Sequence, residues 1–355
     1  MNAPQTIART IDADAHVLEN PYTWEFIDPA LKKYTPLVVT GSEARTAVSG
    51  NVQKEYWVID NRLQPKEANV GMDTAQDARE MKDIAARLKH MDELEIDVQV
   101  LYPTIFLRPL TLNVECELAL TKAYNRWLAE IWKNSAGRLP WVVCPPLFTM
   151  DKVRDELAWA KDNGACGVFM RGLECERRLS DPYFYPLWEA AGDLDLPLCL
   201  HSGTGAFQVH DFFAGDSGFS RFKLAVVSAF HELIFTAIPQ QFPKTRWGFV
   251  EVSSQWLPYV LNDLGLRFKR RGKRFSPSTV LRDNRMYVAV QVTDDLKQIV
   301  DLVGGDNLVV GTDYGHNDTS SEIEALRLLK TNGQLDPTIV DKILGDNARA
   351  LYGLS

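Results

Sequence analysis

From residue 97 onward, short apolar runs alternate with helix-forming stretches, and this rhythm limits the available folds more than any other feature of the chain. The apolar runs are Asp97–Tyr102, Trp141–Cys144, Cys166–Met170, Leu198–His201, Arg246–Val250, Met286–Ala289 and Leu308–Gly311. Between them lie helical patterns over Val114–Asn134, Met150–Asn163, Tyr185–Leu194, Arg221–Ile238 and Gln255–Arg271, with helical sequence after the last two runs as well. With Ile11–Val17 counted first, eight strand–helix units fill nearly the whole length. Strands that are apolar on both faces and separated by helices form a parallel sheet. Eight such units, with no Gly-x-Gly-x-x-Gly after the first, predict an α/β fold of the closed (β/α)₈ type over a doubly wound open sheet. No domain boundary, sequence repeat or low-complexity tract interrupts the series, so residues 1–355 read as one barrel domain. Ala75–Leu94 reads as a further charged helix. The polar stretch of residues 20–70, punctuated by Thr35-Pro36, Gly41-Ser42, Ser49-Gly50 and Asn61, reads as an insertion over the site with a short strand at Tyr56–Ile59.

A barrel of this kind carries its chemistry at the C-terminal ends of its strands. Polar residues stand there repeatedly. Asp14 and His16 close strand 1, Tyr102 strand 2, Arg171 strand 4, His201 strand 5 and Glu251 strand 6, while Asp313 follows strand 8 with His316 three residues on. Asp12, Asp14 and His16 alternate with small apolar residues, so a regular strand turns all three to one side. Buried charges without partners are costly, and convergence on a cation removes that cost. Asp14, His16, His201 and Asp313 thus form a two-His, two-carboxylate set for one divalent ion, Zn²⁺, Mn²⁺ or Fe²⁺. Such an ion lowers the pKa of a bound water or polarises a substrate oxygen. Asp313 then doubles as general base, and Arg171 and His316 hold a substrate carboxylate or developing oxyanion. Glu251 has three open roles: direct or bridging ligand, general acid/base, or ion-pair partner of Arg171. His231 reads as helix packing and His90 falls on a charged helix. His210 reads as a residue lining the pocket.

Composition excludes several classes. A net charge of −8 and no basic stripe argue against a nucleic-acid partner. The run Arg267–Arg274 reads as a solvated helix end. No stretch is long and apolar enough to span a membrane, and the first ten residues lack the apolar core of a secretory leader. Five scattered cysteines without a C-x-x-C pair suggest reduced thiols and a cytoplasmic setting. The nine tryptophans and sixteen phenylalanines serve a core or an aromatic pocket wall equally well.

Four segments, Asp12-Ala-Asp-Ala-His-Val-Leu-Glu19, Pro197-Leu-Cys-Leu-His201, Phe242-Pro-Lys-Thr-Arg-Trp-Gly-Phe-Val-Glu251 and Gly311-Thr-Asp-Tyr-Gly-His316, resemble the amidohydrolase superfamily. More narrowly they resemble its aminocarboxymuconate-semialdehyde-decarboxylase-like branch, and the closing Ile343–Tyr352 resembles the family's last helix. The resemblance covers roughly residues 10–352. It implies a distorted TIM barrel with one divalent ion held by Asp14, His16, His201 and Asp313. It also implies hydrolysis, hydration or non-oxidative decarboxylation of a small organic acid or aromatic compound, and a homodimer or higher oligomer. Two positions depart from the branch. Asp14 stands where many members have His or Glu, and Glu251 stands where many decarboxylases carry a catalytic His. The second departure removes the usual proton carrier. It also opens the alternative of a second ion and non-haem diiron oxygenase chemistry, with His231, His316, His210 or Asp12 as extra ligands. A third reading is a non-catalytic small-molecule binder on the same barrel.

Overall fold

The computed structural model describes residues 10–46, 50–66 and 70–354. Most of the N-terminal stretch read for a leader, and Ser49 of the Ser49-Gly50 turn, lie outside the described residues. Eight parallel strands form the central sheet: β1 (Ile11–His16), β2 (Val98–Tyr102), β3 (Trp141–Val143), β4 (Ala165–Arg171), β5 (Leu198–His201), β6 (Trp247–Val250), β7 (Met286–Val290) and β8 (Leu308–Val310). They pair in chain order from β1 to β8. The expected α/β barrel is the fold observed.

Closure is made just beyond β8. Asp313 N–H donates to the Asp14 carbonyl and His16 N–H to the Tyr314 carbonyl, both at 2.9 Å. Gly311 permits the approach, since a Cβ there would lie 2.4 Å from the Asp14 Cβ. Asp12 latches the seam. Its Oδ1 accepts the Thr312 and Asp14 N–H groups (2.9 and 3.2 Å), and its Oδ2 accepts the Thr312 hydroxyl and the Gln99 amide (2.6 and 2.9 Å). Arg87 braces the same seam. Its Nε donates to Gln99 and its Nη1 to the His16 carbonyl, and the guanidinium lies 3.4 Å from the Tyr314 ring centroid. Below the site, the Tyr102 and Tyr352 hydroxyls share a hydrogen bond of 2.7 Å, and Tyr352 donates to the Ala13 carbonyl.

The strands are buried on both faces because helices cover them. The helix Val114–Lys133 shows how: Asn113 caps its first turn, accepting from Glu115 and Cys116 N–H. Its inward face sets Cys116, Leu120, Tyr124, Trp127, Leu128 and Ile131 into the core. Each large apolar side chain so buried contributes about 1.5–3 kcal/mol. The helix expected over Ala75–Leu94 is instead two, Gln76–Arg79 and Ile84–Glu93. Met81 turns left-handed between them, and Asp83 caps the second.

The polar insertion is more ordered than its composition suggests. Two Asx-capped 3₁₀ turns, Pro21–Phe26 and Pro29–Tyr34, lead into an antiparallel meander of Leu37–Thr46, Gly50–Ile59 and Arg62–Pro65. The short strand expected at Tyr56 is the end of a ten-residue one. One face of it is anchored, with Trp57 buried edge-to-face against Trp24 at 6.0 Å. Residues 267–274 form an exposed helix end, as read. The five cysteines are free, and among the described residues no helix is long and apolar enough to cross a membrane.

Candidate metal centre

Strand ends deliver the site. His16 is the last residue of β1 and His201 the last of β5. Glu251 follows β6 directly and Asp313 lies three residues past β8; both sit at positive φ, 59° and 55°. Left-handed backbone at a non-glycine residue is tolerated where surrounding structure enforces it, and here it turns two carboxylates into the barrel mouth. The β1–β2 register slips by one residue between Asp12 and Ala15. That irregularity corrects the expectation that Asp12 joins Asp14 and His16. All four of its hydrogen bonds go to the seam, so it is not an extra metal ligand.

Asp14, His16, His201, Glu251 and Asp313 converge. The His16 and His201 Nε2 atoms are 3.0 Å apart. From His201 Nε2, Asp14 Oδ1 lies at 3.2 Å and Glu251 Oε2 at 3.0 Å. From His16 Nε2, Asp313 Oδ1 lies at 3.3 Å, Asp14 Oδ1 at 3.6 Å and Glu251 Oε2 at 4.0 Å. The proton positions follow from the other ring nitrogens. His16 Nδ1 faces the Pro103 carbonyl at 2.9 Å and His201 Nδ1 the Ser202 carbonyl at 2.8 Å. A carbonyl only accepts, so each Nδ1 carries a hydrogen and Nε2 is the nitrogen each ring leaves to face the centre. Two imidazole nitrogens and three carboxyl groups crowded together in a buried space are costly unless a cation lies between them. Glu251 Oε2 and Asp313 Oδ1 are buried without a hydrogen-bond partner. Ligands about 2.0–2.2 Å from a common ion are separated by about 3–4 Å, which is the spacing observed. The residues present fit a divalent ion.

Electrostatics agree. Burial, then the neighbouring His316 and His201, hold the His16 pKa well below its usual value. Burial and the charges of Asp313, Asp318 and Asp14 push Glu251 well above the carboxylate range. Burial also raises Asp313, against the opposing effect of His316. For His316 burial disfavours the charged form, but Asp313 outweighs it and the pKa is raised. Thr104 spends its hydroxyl hydrogen on the Val17 carbonyl (2.7 Å), so it accepts from His316 Nε2 at 3.0 Å. His316 Nδ1 lies 2.9 Å from Asp313 Oδ1, and the ring stacks on His16 at 3.9 Å. With its Nε2 hydrogen spent on Thr104, His316 turns Nδ1 toward Asp313 at the edge of the cluster.

Arg171 is not free to clamp a substrate, contrary to expectation. Its Nε and Nη2 donate to Glu174 (2.8 and 2.6 Å), and Nη1 donates to the Phe106 and Arg108 carbonyls (2.8 and 2.9 Å). This also removes Glu251 as its ion-pair partner. Tyr102 lies under the site, its ring 5.1 Å from that of His201. His231 pairs with Asp263 away from the centre, at 2.9 Å, and His90 bonds the Tyr314 hydroxyl. His210 sits beside Asp211, outside the residues lining the central cavity. None of these three reaches the metal-ligating groups. Sequence reading missed Ser321, which donates to Asp313 Oδ2 at 2.5 Å, and Glu19. The Glu19 carboxylate accepts the Thr104 and Ile105 N–H groups, and burial pushes its pKa up to about 7. Its place three residues past His16, at the end of the first motif, was the available signal. Glu19, Trp57, Thr104, Arg108, Glu251 and His316 line a cavity of about 600 Å³ at the centre.

A protein-family model described as Amidohydrolase (Amidohydro_2) matches residues 11–354. The chain belongs to this amidohydrolase family. Solved structures of similar fold include an amidohydrolase, map2389c, from Mycobacterium avium subsp. paratuberculosis K-10, with 19% identity, a TM-score of 0.77 and coverage of 98% of this chain and 99% of that one. A 5-carboxyvanillate decarboxylase from Novosphingobium aromaticivorans, complexed with manganese and a nitrobenzoic acid, has 19% identity, a TM-score of 0.64 and coverage of 76% and 80%. A 4-oxalomesaconate hydratase from Rhodopseudomonas palustris has 15% identity, a TM-score of 0.62 and coverage of 97% and 95%. At these identities the likeness is one of fold. The amidohydrolase shares its barrel with a lyase and a hydratase.

Proposed function

We propose that this amidohydrolase is a mononuclear metal-dependent hydrolase or non-oxidative decarboxylase acting on a small organic acid or aromatic compound. The observation that carries the reading is the pair of Nε2 atoms 3.0 Å apart, each ring locked by a backbone carbonyl and faced by carboxyl groups. Asp14, His16, His201 and Asp313 would hold the ion, and manganese in the decarboxylase of similar fold supports a divalent one. When bound, the ion supplies Lewis-acid polarisation of a substrate oxygen or an ionised water.

The chain's own groups do the rest. Glu251, its pKa held above the carboxylate range by burial and by the charges of Asp313, Asp318 and Asp14, is poised to carry a proton. It stands in for the absent histidine at the end of β6 as the group that delivers a proton to the reacting atom. Asp313, its Oδ2 fixed by Ser321, accepts a proton in the hydrolytic variant. His316 stabilises negative charge next to Asp313, and the 20–70 insertion shields the cavity from water through Trp57. The test is turnover of a panel of hydroxybenzoates and carboxylic esters, with deuterium incorporation from D₂O followed by NMR. A decarboxylase places one solvent deuterium on the vacated carbon, and Glu251→Gln lowers kcat by roughly 10²–10⁴-fold while metal content is unchanged. Equal turnover by Glu251→Gln rules out its proton-carrying role.

A dinuclear oxygenase is the second reading. Glu251 belongs to both buried ligand groups, Asp14–His16–His201–Glu251 and His16–Glu251–Asp313–His316. Two irons per chain together with O₂-dependent product would establish it.

A further inference from the structure

Above the central cavity the barrel opens into a mouth of about 1410 Å³, bounded by the Asp216–Lys223 turn and the Asn317–Thr319 loop. Arg108, Ser202, Phe222, Glu251 and Asp318 line both spaces, so the two are continuous. The acids of the metal centre dominate the inner end. Cations gather at the outer one. Arg108 is half-buried, and among the described residues its guanidinium has no carboxylate within ion-pair distance and no hydrogen-bond partner. The charge facing it is another cation, Arg221, and together with burial this lowers its pKa. The Arg221 Nε is itself buried and unpartnered. Asp216, whose pKa the Arg221 charge helps to lower, also accepts the Gly218 and Ser220 N–H groups (2.6 and 3.0 Å). Lys223 is turned to the Thr319 and Ser320 hydroxyls, at 2.9 and 2.7 Å.

A half-buried guanidinium next to a like charge is unfavourable unless an anion completes it. This one is also held in place: Arg171, anchored on Glu174, donates to the Arg108 carbonyl and to that of Phe106 two residues earlier. The segment is therefore fixed before any ligand arrives, a preorganisation that lowers the cost of binding. Resting on the reading of the centre as a metal enzyme, we infer that Arg108, assisted by Arg221, anchors a second acidic group of the substrate. That group is remote from the metal and survives the reaction. The substrate is then a dianion, with one oxyanion at the centre and one carboxylate in the fork of Arg108. Arg171 is a positioning residue acting through the Arg108 backbone.

The test is calorimetric titration of the Mn²⁺-loaded protein with benzoate, isophthalate and terephthalate. One of the dicarboxylates is expected to bind roughly 10- to 100-fold tighter than benzoate, the size of a charge-assisted hydrogen-bonded pair. Arg108→Gln should reduce that affinity to the benzoate level with benzoate itself unchanged, and Arg108→Lys should restore part of it. An unaltered dicarboxylate-to-benzoate ratio in Arg108→Gln overturns the anchor, as does a ratio of one for both dicarboxylates in the wild type. Metal removal separates the two readings. Should it leave benzoate binding unchanged while the Arg108 dependence persists, the metal reading fails and the anchor stands.

Discussion

Removing the Asp12 carboxylate should loosen the barrel seam and the metal centre together. In Asp12→Ala the buried Thr312 and Asp14 N–H groups lose their acceptor, whereas the Thr312 hydroxyl and Gln99 amide can turn elsewhere. Each buried donor left unsatisfied costs about 1–3 kcal/mol, so the expected loss is roughly 2–6 kcal/mol. Unfolding entropy for a chain of this length is roughly 0.7 kcal/mol per degree, which converts the loss to a Tm decrease of roughly 3–8 °C. Asp12→Asn should cost less, about 1–3 kcal/mol. Its new amide faces Gln99, which cannot flip freely because its oxygen accepts from Arg87 Nε at 2.6 Å. Because Asp313 N–H bonds the Asp14 carbonyl across the same seam, metal affinity should fall about 10- to 100-fold, as for other groups that orient ligands. Scanning calorimetry of metal-free protein gives the first quantity and competition with a chelating dye the second. An Asp12→Ala protein with wild-type Tm and wild-type metal affinity would refute the argument that this carboxylate holds the seam.

Gly311→Ala places a methyl group 2.4 Å from the Asp14 Cβ, so β1 must shift; destabilisation of about 1–3 kcal/mol and weaker metal binding are expected, read by calorimetry and metal titration. Glu117 offers a pH test away from the centre. One of its oxygens accepts the Leu147 and Phe148 N–H groups, the other is buried without a partner, and burial pushes its pKa up from 4.5 to about 8. The folded protein keeps this proton longer than the unfolded chain, so the stabilisation is full below about pH 4.5 and is lost as pH rises through about 8. Glu117→Gln, similar in shape to the protonated acid, should therefore gain on the wild type between pH 5 and pH 9, by on the order of 4 kcal/mol. Denaturant midpoints that move in parallel with pH for both proteins would contradict it.

The barrel and its candidate ligands were legible for one reason: most strands are apolar runs that end on or close to an ionisable residue. His201 after Leu-Cys-Leu and Glu251 after Trp-Gly-Phe-Val need no partner to be noticed, only the rule that barrel chemistry sits at strand ends. Pattern reading failed where local geometry overrides period. The slip in β1 diverts Asp12 from the side that strict alternation assigns it. Arg171 stands at a strand end like the ligands, but the turn through Leu173 brings Glu174 back onto it. A pairing at i,i+3 in a loop has no periodic signature. The meander escaped because only Trp57, Ile59 and Gln64 of its described side chains are buried, so Lys54 and Glu55 beside Tyr56 and Trp57 read as a polar linker.

The central claim is that Asp14, His16, His201 and Asp313, buried together at one rim of the barrel, hold a cation. Elemental analysis of the purified protein, repeated on His201→Ala and on the double variant His16→Ala with Asp313→Ala, tests it most directly. The account predicts about one tightly held divalent ion per chain in the wild type and loss of that ion in both variants, with the barrel still folded. A wild-type protein that binds no divalent ion under metal-replete conditions, or variants that retain it fully, would contradict the account.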